Sequence, residues 1–590
     1  MFAQWASRCL PGFSIIALII LLVLSSVDVI PGWKRPPIRD GLPGDSPLAL
    51  NLAQTIFIVY TILVHLNTFF FTVRLSWALS YADSQTSKVL KRRNDVSTPT
   101  SSAPSSPRLS GDPFATGYTT RLDSKRPQSW IVEVAEAEIT HAIILPNYNE
   151  DIDTLRTTLD VLASHPRART QYEIYLAMEQ KESGAAEKAE KLVSYYEKSF
   201  SAIQATFHPA GLPSEIAGKS SNVAFAARCI GQVHQAGLET STSNVVLKVM
   251  DADTHLWQDY FTEIRRLHYT HSQEADRTLY SCPIIFDRNS NDSPVLVRCA
   301  DLLWSFAGLS TMYPNSAVSI PTSVYSLPLT LASRVGGWDS DPTSIGEDMH
   351  MMLKCYFGTS GTLVSRVIHS PASQCNVSSD LPYKGYRRYL DTCVARYRQA
   401  LRHMWGALDS GFAARQSFRS LQPANWRSFL YRPRHLALLH LLWEAHFLPC
   451  HLTILLVYSM VYAHLAGSTR TPLHPLISLT LDITSYLRLS SFIAMNVCIS
   501  IYNTWYGVCL QTRKKDMREA GITDTGFSTR TWWHSQFLVE RVVFPIAGTV
   551  FGAVPTLQAV FMHFATERLV YRVSGKPRFG AGGAGAGSPA

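Results

Sequence analysis

The chain has 590 residues, of which 46% are hydrophobic and 17% are charged, so it is more apolar than a soluble enzyme of this size. Its formal net charge of +9 suits a polyphosphate ligand or an anionic membrane face, and no nucleic-acid partner is expected. The ten cysteines are scattered without a Cys-x-x-Cys pair, which argues against a disulfide framework or a zinc site and favours a reducing compartment.

Two apolar stretches near the start predict a transmembrane hairpin over residues 1–80. Residues 13–27 are almost entirely aliphatic, and residues 47–73 carry no charge and are long enough to cross a bilayer. The first stretch also has the character of a signal peptide, but no small-residue cleavage site follows it. Basic residues at 88–93 indicate that the chain leaves the second stretch on the cytosolic side.

A linker is predicted over residues 81–135. Residues 94–128 are rich in Ser, Thr and Pro and contain too few apolar side chains to form a core. We therefore expect a disordered tether between the hairpin and the domain that follows.

Residues 136–425 are predicted to form one α/β domain. Short apolar stretches of strand type alternate with helical ones from residue 141 onward. This alternation is typical of a mostly parallel sheet with helices on both faces, in which ligands bind beyond the carboxyl ends of the strands. The predicted strands are residues 142–145, 172–178, 202–207 and a run from residue 245, and the predicted helices are residues 151–164, 184–200 and 220–235.

Two carboxylates follow the fourth predicted strand. Asp251 and Asp253 come directly after an apolar run that starts at Val245. Two acids at a strand end can hold a hard divalent cation that also contacts a substrate diphosphate. The alternative is a solvated turn after a strand, because Asp-x-Asp alone is common.

Other strand ends carry residues suited to a nucleotide. Tyr148 follows the first strand and offers a flat face for a nucleobase, and Glu150 offers an acceptor for a base or ribose donor. Lys219 precedes the third helix, where it can contact a phosphate or a ribose. Ordinary turn and capping chemistry is the alternative for each residue.

A glycine-rich turn and a helix start supply further candidates. Gly337 and Trp338 form a tight turn that presents an indole as a platform for a sugar ring. The helix predicted over residues 344–357 begins with Glu347 and Asp348, whose alternative role is to complement the helix dipole. Glu347 is expected to turn away from Asp348 towards a supporting contact.

A basic helix is predicted over residues 386–405. Gln399, Arg402 and Trp405 follow one another at intervals of three residues, so each neighbouring pair shares one surface of the helix. A solvated basic helix is the alternative to a binding surface.

Residues 426–570 are predicted to form a C-terminal transmembrane region. Its last apolar stretch contains Glu540 and Arg541, which are costly in lipid, so we expect a broken, re-entrant helix that lines a cavity. The predicted segments are an interfacial anchor from residue 426, apolar stretches at residues 436–461, 486–510 and 537–564, and a disordered tail at residues 571–590.

The ordered motifs resemble the family 2 glycosyltransferases, and within them the membrane-embedded relatives of cellulose, chitin and hyaluronan synthases, in particular a fungal branch with capsule-synthase-like members. The resemblance covers roughly residues 141–405 and the flanking spans. The matching residues are Pro146-Asn147-Tyr148-Asn149-Glu150, Gly218-Lys219, Asp251-Ala252-Asp253, Gly336-Gly337-Trp338, Glu347-Asp348, and Gln399 with Arg402.

This resemblance implies a Rossmann-like GT-A domain flanked by transmembrane helices, with a role for each matched residue. The implied roles are nucleotide binding by Tyr148, Glu150, Glu179, Lys219 and Asp251; a Mg²⁺ or Mn²⁺ ion at Asp251 and Asp253; catalysis by Asp348 with Glu347; and acceptor or diphosphate binding by Gly337, Trp338, Gln399, Arg402 and Trp405.

Two positions depart from the family pattern. Processive synthases have Gln-x-x-Arg-Trp, whereas two residues separate Arg402 from Trp405 here, which argues against extrusion of a polymer. Glu179 stands after the second strand, where the family has an Asp pair.

The sequence therefore predicts a multi-pass membrane glycosyltransferase with a cytosolic catalytic domain, in the plasma membrane or a membrane of the secretory pathway. It would transfer a sugar with inversion from a nucleotide-sugar, in particular a UDP-sugar, to a polysaccharide or lipid acceptor, in contact with membrane lipids. Asp348 would deprotonate the acceptor hydroxyl. The alternatives are a non-processive glycolipid-forming transferase and a catalytically silent membrane scaffold or transporter that keeps the fold.

Overall fold

A computed structural model describes residues 2–26, 50–97, 139–212, 215–216, 218–236, 244–379, 384–420, 432–469, 473–522 and 535–569. Strands β1 to β9 are Thr140–Asn147, Tyr172–Glu179, Ala202–His208, Val245–Val249, Thr278–Ser281, Ile284–Phe286, Tyr325–Pro328, Val364–Val367 and Ala372–Gln374. Helices α1 to α19 are Phe2–Arg8, Leu10–Ser25, Leu52–Ser97, Ile152–Ala163, Ala168–Gln171, Ala185–Tyr196, Lys219–Ala236, Gln258–Thr270, Ser272–Ala275, Val295–Leu309, Leu329–Arg334, Glu347–Gly358, Gly385–Met404, Leu408–Arg419, Pro433–His446, Leu448–Thr469, Pro475–Glu519, Ser535–Gly548 and Val554–Met562.

The main sheet has seven strands in the order β3-β2-β1-β4-β7-β5-β8. Strands β3, β2, β1 and β4 are parallel, and β7 runs antiparallel to β4 and β5. Strands β6 and β9 form a separate, parallel two-stranded sheet, in which β6 follows β5 in the chain and β9 follows β8. The predicted α/β fold class with flanking apolar helices is confirmed.

Helices cover both faces of the sheet because its central strands are apolar on both sides. Ile144 and Leu247 point into a core layer shared with α7 and α12. Their neighbours Ile143 and Val246 point into the opposite layer, shared with α4, α6 and α8. Successive side chains of a strand face opposite sides, so this near-continuous apolar sequence requires a layer of helices on each side.

The parallel pairing of β1 with β4 brings two chemically important loops to one edge of the sheet. Ile144 pairs with Val249. Both strands therefore end near the same edge, where Tyr148 follows β1 and Asp251 follows β4. Ligands of parallel sheets bind at this edge.

Helix α3 extends further than predicted. Residues 81–97, predicted as part of a disordered linker, continue the helix to Ser97. The reason is tertiary packing: Arg93 forms ion pairs with Asp259 of α8 and Asp516 of α17, and Trp505 donates a hydrogen bond to Thr86 Oγ1 at 3.0 Å. The rest of the predicted linker, like the predicted tail, lies outside the described residues.

Four helices within the described ranges are long and apolar enough to cross a membrane, and the pair α1 and α2, bent by 63°, adds a fifth candidate. Two of the predicted spans have different limits. The predicted span at residues 436–461 is two helices, α15 and α16, because Pro449 in the first turn favours a new helix start. The span predicted at residues 486–510 is the middle of the much longer α17.

The last apolar segment, Phe537–Met562, comprises α18, a π-helical turn and α19. It contacts the α/β domain along its length: Glu540 pairs with Arg298 at 2.6 Å, and Gln558 accepts a hydrogen bond from Tyr397 at 2.7 Å. Arg541 donates to the Asn496 carbonyl at 2.8 Å. Protein groups therefore pair with both Glu540 and Arg541, the two charged residues that would be costly in lipid.

Candidate functional site

A cavity of about 810 Å³ opens at the carboxyl ends of β1 and β4 and continues between the apolar helices. Its walls come from strand ends, from the starts of α7 and α12, and from α13. The predicted site residues that line it are Tyr148, Glu150, Glu179, Lys219, Asp251, Asp253, Glu347, Asp348, Gln399 and Arg402. Residues separated by more than 250 positions in the chain thus share one opening.

Lys219 links the two acidic parts of this cavity. Its Nζ lies 2.8 Å from Asp251 Oδ1 and 3.1 Å from Glu347 Oε2. Burial disfavours the ammonium form, but Asp251, Glu347 and Asp348 together outweigh it and hold the pKa of Lys219 above its ordinary value. The lysine therefore remains a cation, suited to a phosphate.

Asp251 and Asp253 provide the oxygen donors that a hard cation requires. Asp253 is 3% exposed, and Asp251 lies at the cavity wall. Across the described ranges, no group of three or more His, Cys, Asp or Glu side chains could hold a metal ion by itself. The two carboxylates therefore fit a cation that takes its remaining ligands from substrate oxygens and water, as Mg²⁺ commonly does.

Asp348 is held in one orientation at the start of α12. Its Oδ2 accepts a hydrogen bond from the Ser323 amide at 2.6 Å, and its Oδ1 accepts one from the Met349 amide at 2.8 Å. Ser323 adopts a positive φ of 58°, which brings its amide to the carboxylate. The side chain thus has a fixed position in the cavity wall.

Glu347 makes the supporting contacts expected of it. Its Oε1 accepts a hydrogen bond from the Tyr325 hydroxyl, which in turn accepts one from Trp338 Nε1 at 2.6 Å. Burial raises the pKa of Glu347, and Lys219 opposes that rise. Glu347 therefore connects the glycine-rich turn, through Tyr325, to the start of α12.

Three residues that were predicted to bind the acceptor or the diphosphate do not line the cavity. Trp338 is 6% exposed and belongs to the apolar core, where its indole N–H is bonded to Tyr325. Trp405 is fully buried against His563, and its Nε1 donates to the Glu567 carbonyl at 3.0 Å. Gly337, with a φ of 72°, shapes the turn but does not line the cavity either. None of the three residues lines the cavity, and their contact with an acceptor or diphosphate stays a prediction.

The structure adds cavity residues that no motif indicated. Trp304 of α10 stacks on His403 of α13 with a ring separation of 4.3 Å, and both rings line the cavity. Arg396 pairs with Asp301 at 2.8 Å in the same wall. Arg396 could have been found from the sequence, because it belongs to the predicted basic helix. Trp304 could not, because its helix is apolar and has no distinguishing pattern.

The end of the cavity next to Tyr148 contains a chain of charged groups. Lys181 Nζ lies 4.5 Å from the centre of the Tyr148 ring and 4.0 Å from Glu179 Oε2. His208 Nδ1 lies 3.3 Å from the same Glu179 oxygen, and Nε2 lies 2.7 Å from Glu215. The hydrogen bond to Glu179 raises the pKa of His208 despite its burial.

A second buried network lies behind Asp348. His350 Nδ1 lies 2.6 Å from Asp409, and Nε2 lies 3.1 Å from Asp339, which Lys354 also contacts. Burial alone would lower the pKa of His350, but the two carboxylates raise it to about 9. Through Asp339 and Asp409, the charged His350 connects α12 to the glycine-rich turn and to α14.

Comparison with known proteins gives a family match for part of the chain. Residues 246–506 match the family model "Glycosyl transferase family group 2". No curated protein matches the chain.

Solved glycosyltransferase structures show a remote likeness. One is the mannosyltransferase PcManGT from Pyrobaculum calidifontis in complex with GDP-Man and Mn²⁺, at 14% identity over 72% of this chain and 98% of that one, with a TM-score of 0.36. Another is TarS from S. aureus, at 12% identity over 62% of this chain and 55% of that one, with a TM-score of 0.27. These scores are too low to inform substrate or mechanism, so the family match carries the conclusion. The match spans residues 246–506, less than half of the chain, and identifies the chain as a glycosyltransferase.

Proposed function

We propose that this chain is a multi-pass membrane glycosyltransferase that moves a sugar, with inversion, from a nucleotide-sugar to a polysaccharide or lipid acceptor. The observation that carries the proposal is the single cavity that gathers Lys219, Asp251, Asp253 and Asp348. We place the chain near the cellulose, chitin and hyaluronan synthases, in the fungal capsule-synthase-like branch.

The donor is a UDP-sugar in this proposal, because Glu179 offers one carboxylate oxygen to the base. Its Oε2 is engaged by His208 and Lys181, while Oε1 has no protein partner within the described part of the chain. Uracil presents one imide N–H between two carbonyl groups, whereas guanine presents two adjacent donors that fit both oxygens of a carboxylate. Tyr148 supplies the stacking face, and Glu150 lies beside it.

The diphosphate would lie between Lys219 and α13. Asp251 and Asp253 would hold Mg²⁺ or Mn²⁺, which neutralises charge on the departing diphosphate. Gln399 and Arg402 of α13 also line the cavity, where a guanidinium can form paired hydrogen bonds with phosphate oxygens.

Asp348 is the proposed general base. The Ser323 and Met349 amides keep its carboxylate at the cavity wall, so it can accept the proton of an acceptor hydroxyl during in-line attack on the sugar. Glu347 is a positioning residue, because its contacts are to Tyr325 and Lys219.

A non-processive enzyme that glycosylates a lipid is the second candidate. In the synthase pattern the tryptophan follows the arginine directly, whereas Trp405 is buried against His563 and away from the cavity. This difference removes one stacking contact for a growing polymer.

The proposed topology has four membrane crossings, by α2, α3, α16 and α17. The segment Phe537–Met562 would lie along the membrane-facing side of the catalytic domain, because its contacts with Arg298 and Tyr397 place both of its halves against that domain. Both chain ends and residues 136–425 would then be cytosolic, consistent with the basic residues at 88–93.

The test is release of nucleoside diphosphate by membranes containing the chain. UDP-glucose, UDP-N-acetylglucosamine, UDP-glucuronic acid and GDP-mannose are supplied separately, with Mn²⁺ or Mg²⁺ and with chelator. The proposal predicts metal-dependent release of UDP from at least one donor. A silent scaffold or transporter would release no diphosphate from any of them.

A further inference from the structure

The cavity continues past the catalytic residues into the apolar helices, where its wall contains an arginine. Arg488 of α17 lines this part together with His65 of α3. Within the described chain, the polar contacts of Arg488 are His65 Nε2 at 3.4 Å and Thr484 Oγ1 at 3.5 Å, and neither is an acid. A guanidinium in a membrane-spanning helix is costly unless an anion or water compensates it.

A second polar group in the same wall also lacks a protein partner. Ser491 lies three residues after Arg488, is 8% exposed and lines the cavity. Its Oγ is buried without a hydrogen-bond partner among the described residues. Residues three apart in a helix share one face, so the hydroxyl and the guanidinium are neighbours. Buried hydroxyls are normally hydrogen-bonded, so this pair points to a ligand with acceptor oxygens.

The surroundings of this polar site are apolar and reach the outer surface of the helices. Leu456 of α16 and Phe492 of α17 both line the cavity, and they are 38% and 42% exposed. Leu452 and Met495 complete the apolar wall. A molecule bound at Arg488 would therefore have an anionic end inside the cavity and an apolar remainder towards the bilayer.

The site also lies towards the catalytic domain. His65 lies two residues before Asn67 of α3, which donates a hydrogen bond to Glu444 of α15 at 3.0 Å. Helix α15 directly precedes α16, and its Arg434 donates hydrogen bonds to carbonyls of the α/β domain. The guanidinium is thus near the end of the membrane helices that faces the catalytic domain, where lipid headgroups of that leaflet lie.

We propose that Arg488, His65 and Ser491 form a binding site for the anionic headgroup of a lipid that enters from the bilayer between α16 and α17. The headgroup oxygens accept hydrogen bonds from the guanidinium and the Ser491 hydroxyl, and the lipid chain lies against Leu456 and Phe492. This site does not depend on glycosyl transfer, so it is tested by binding.

The experiment is native mass spectrometry of the full chain purified in detergent and titrated with dioleoyl phosphatidic acid or dioleoyl phosphatidylcholine. We expect a one-to-one complex with phosphatidic acid at lower lipid concentration than with phosphatidylcholine. Arg488→Gln should weaken the phosphatidic acid complex by about ten-fold or more, because a charge-assisted contact is lost. Arg488→Lys keeps the cation and should retain part of the affinity.

The matched control is Arg541→Gln. Arg541 lines the same cavity, but its guanidinium already donates to the Asn496 carbonyl and to Ser500 Oγ, each at 2.8 Å. This variant should bind phosphatidic acid like the wild type. Equal binding of the two lipids, or wild-type binding by a folded Arg488→Gln variant, would overturn the proposal. Displacement of the lipid by equimolar inorganic phosphate would indicate a site for a free anion, and displacement by a glucuronic acid oligosaccharide a site for an acidic glycan; either result also overturns it.

Discussion

The ammonium group of Lys219 lies 2.8 Å from the carboxylate of Asp251, so the start of α7 and the end of β4 meet in one partly buried ion pair. Glu347 contacts the same nitrogen from the start of α12. One lysine therefore joins the proposed nucleotide side of the cavity to the proposed catalytic helix.

Replacing this lysine should damage nucleotide binding and stability together. Lys219→Met leaves Asp251 and Glu347 without their shared cation, which we expect to lower the free energy of unfolding by about 3 kcal/mol. UDP affinity, measured by calorimetry in detergent, should fall at least roughly ten-fold, because a phosphate contact is lost. Lys191→Met removes a lysine from an exposed pair with Glu187 and should change neither property. Wild-type UDP affinity in folded Lys219→Met would contradict the role of this residue.

Asp253 provides a test of the proposed metal site. Asp253→Ala should abolish turnover and remove the increase in UDP affinity that Mn²⁺ or Mg²⁺ would produce, because Asp253 would hold the cation that neutralises charge on the diphosphate. UDP affinity in the presence of a chelator should change little. Binding is measured with and without metal, and an Asp253→Ala protein that keeps the full metal effect would place the cation elsewhere.

Glu179 should determine the choice of base. Glu179→Gln replaces the carboxylate that is proposed to accept the uracil N–H, so UDP affinity should fall by about ten-fold while GDP affinity changes less. Glu215→Gln alters the other partner of His208 but leaves Glu179 in place, so the preference for UDP over GDP should persist. Competition of UDP and GDP for the purified protein measures this ratio. Tighter binding of GDP than of UDP by the wild type would refute the proposed donor class.

His350 should make the stability of the catalytic domain depend on pH. Its pKa of about 9 in the folded state is above the ordinary value, so its stabilising contribution is complete below about pH 6.5 and is lost as the pH rises through about 9. That contribution is at most about 3 kcal/mol. Thermal unfolding at pH 6.5 to 9.5 should show a decline for the wild type and a weaker one for His350→Gln. Equal slopes for the two proteins would show that this histidine is not charged in the fold.

The strand ends of the site were predictable because they depend on local order in the chain. Tyr148 and Asp251 each follow an apolar strand, and parallel strands bring such ends to one edge regardless of the loops between them. The position of Asp348 at a helix start was predictable for a similar reason, because the first turn of a helix is also recognisable from the local sequence.

Features that depend on tertiary packing were not predictable. Trp338 was predicted as a sugar platform and Trp405 as an acceptor or diphosphate contact, but only the packed structure shows that both indoles are buried and hydrogen-bonded within the protein. His350 and Asp409 are 59 residues apart, and nothing local to either residue indicates their contact. The same holds for Arg93, whose partners on α8 and α17 keep residues 81–97 helical.

The central claim is that Asp348 removes a proton from the acceptor, and its amide variant tests it most directly. Asp348→Asn preserves the shape of the side chain and removes the proton acceptor. Both oxygens of Asp348 accept hydrogen bonds from backbone amides, whereas asparagine has only one oxygen. The amide of Ser323 or of Met349 therefore loses its acceptor, which should cost about 1 kcal/mol of stability. Asp153→Asn is the matched control, because Asp153 is also an acid in the first turn of a helix and lies outside the cavity.

The measurement is the rate of sugar transfer at saturating donor, together with UDP affinity, for both variants and the wild type. We predict that Asp348→Asn lowers the rate by about 10²- to 10⁴-fold with UDP affinity within a few-fold of wild type, while Asp153→Asn changes neither. Transfer by Asp348→Asn within a few-fold of the wild-type rate would show that Asp348 only complements the helix dipole, and would contradict the assignment of the general base.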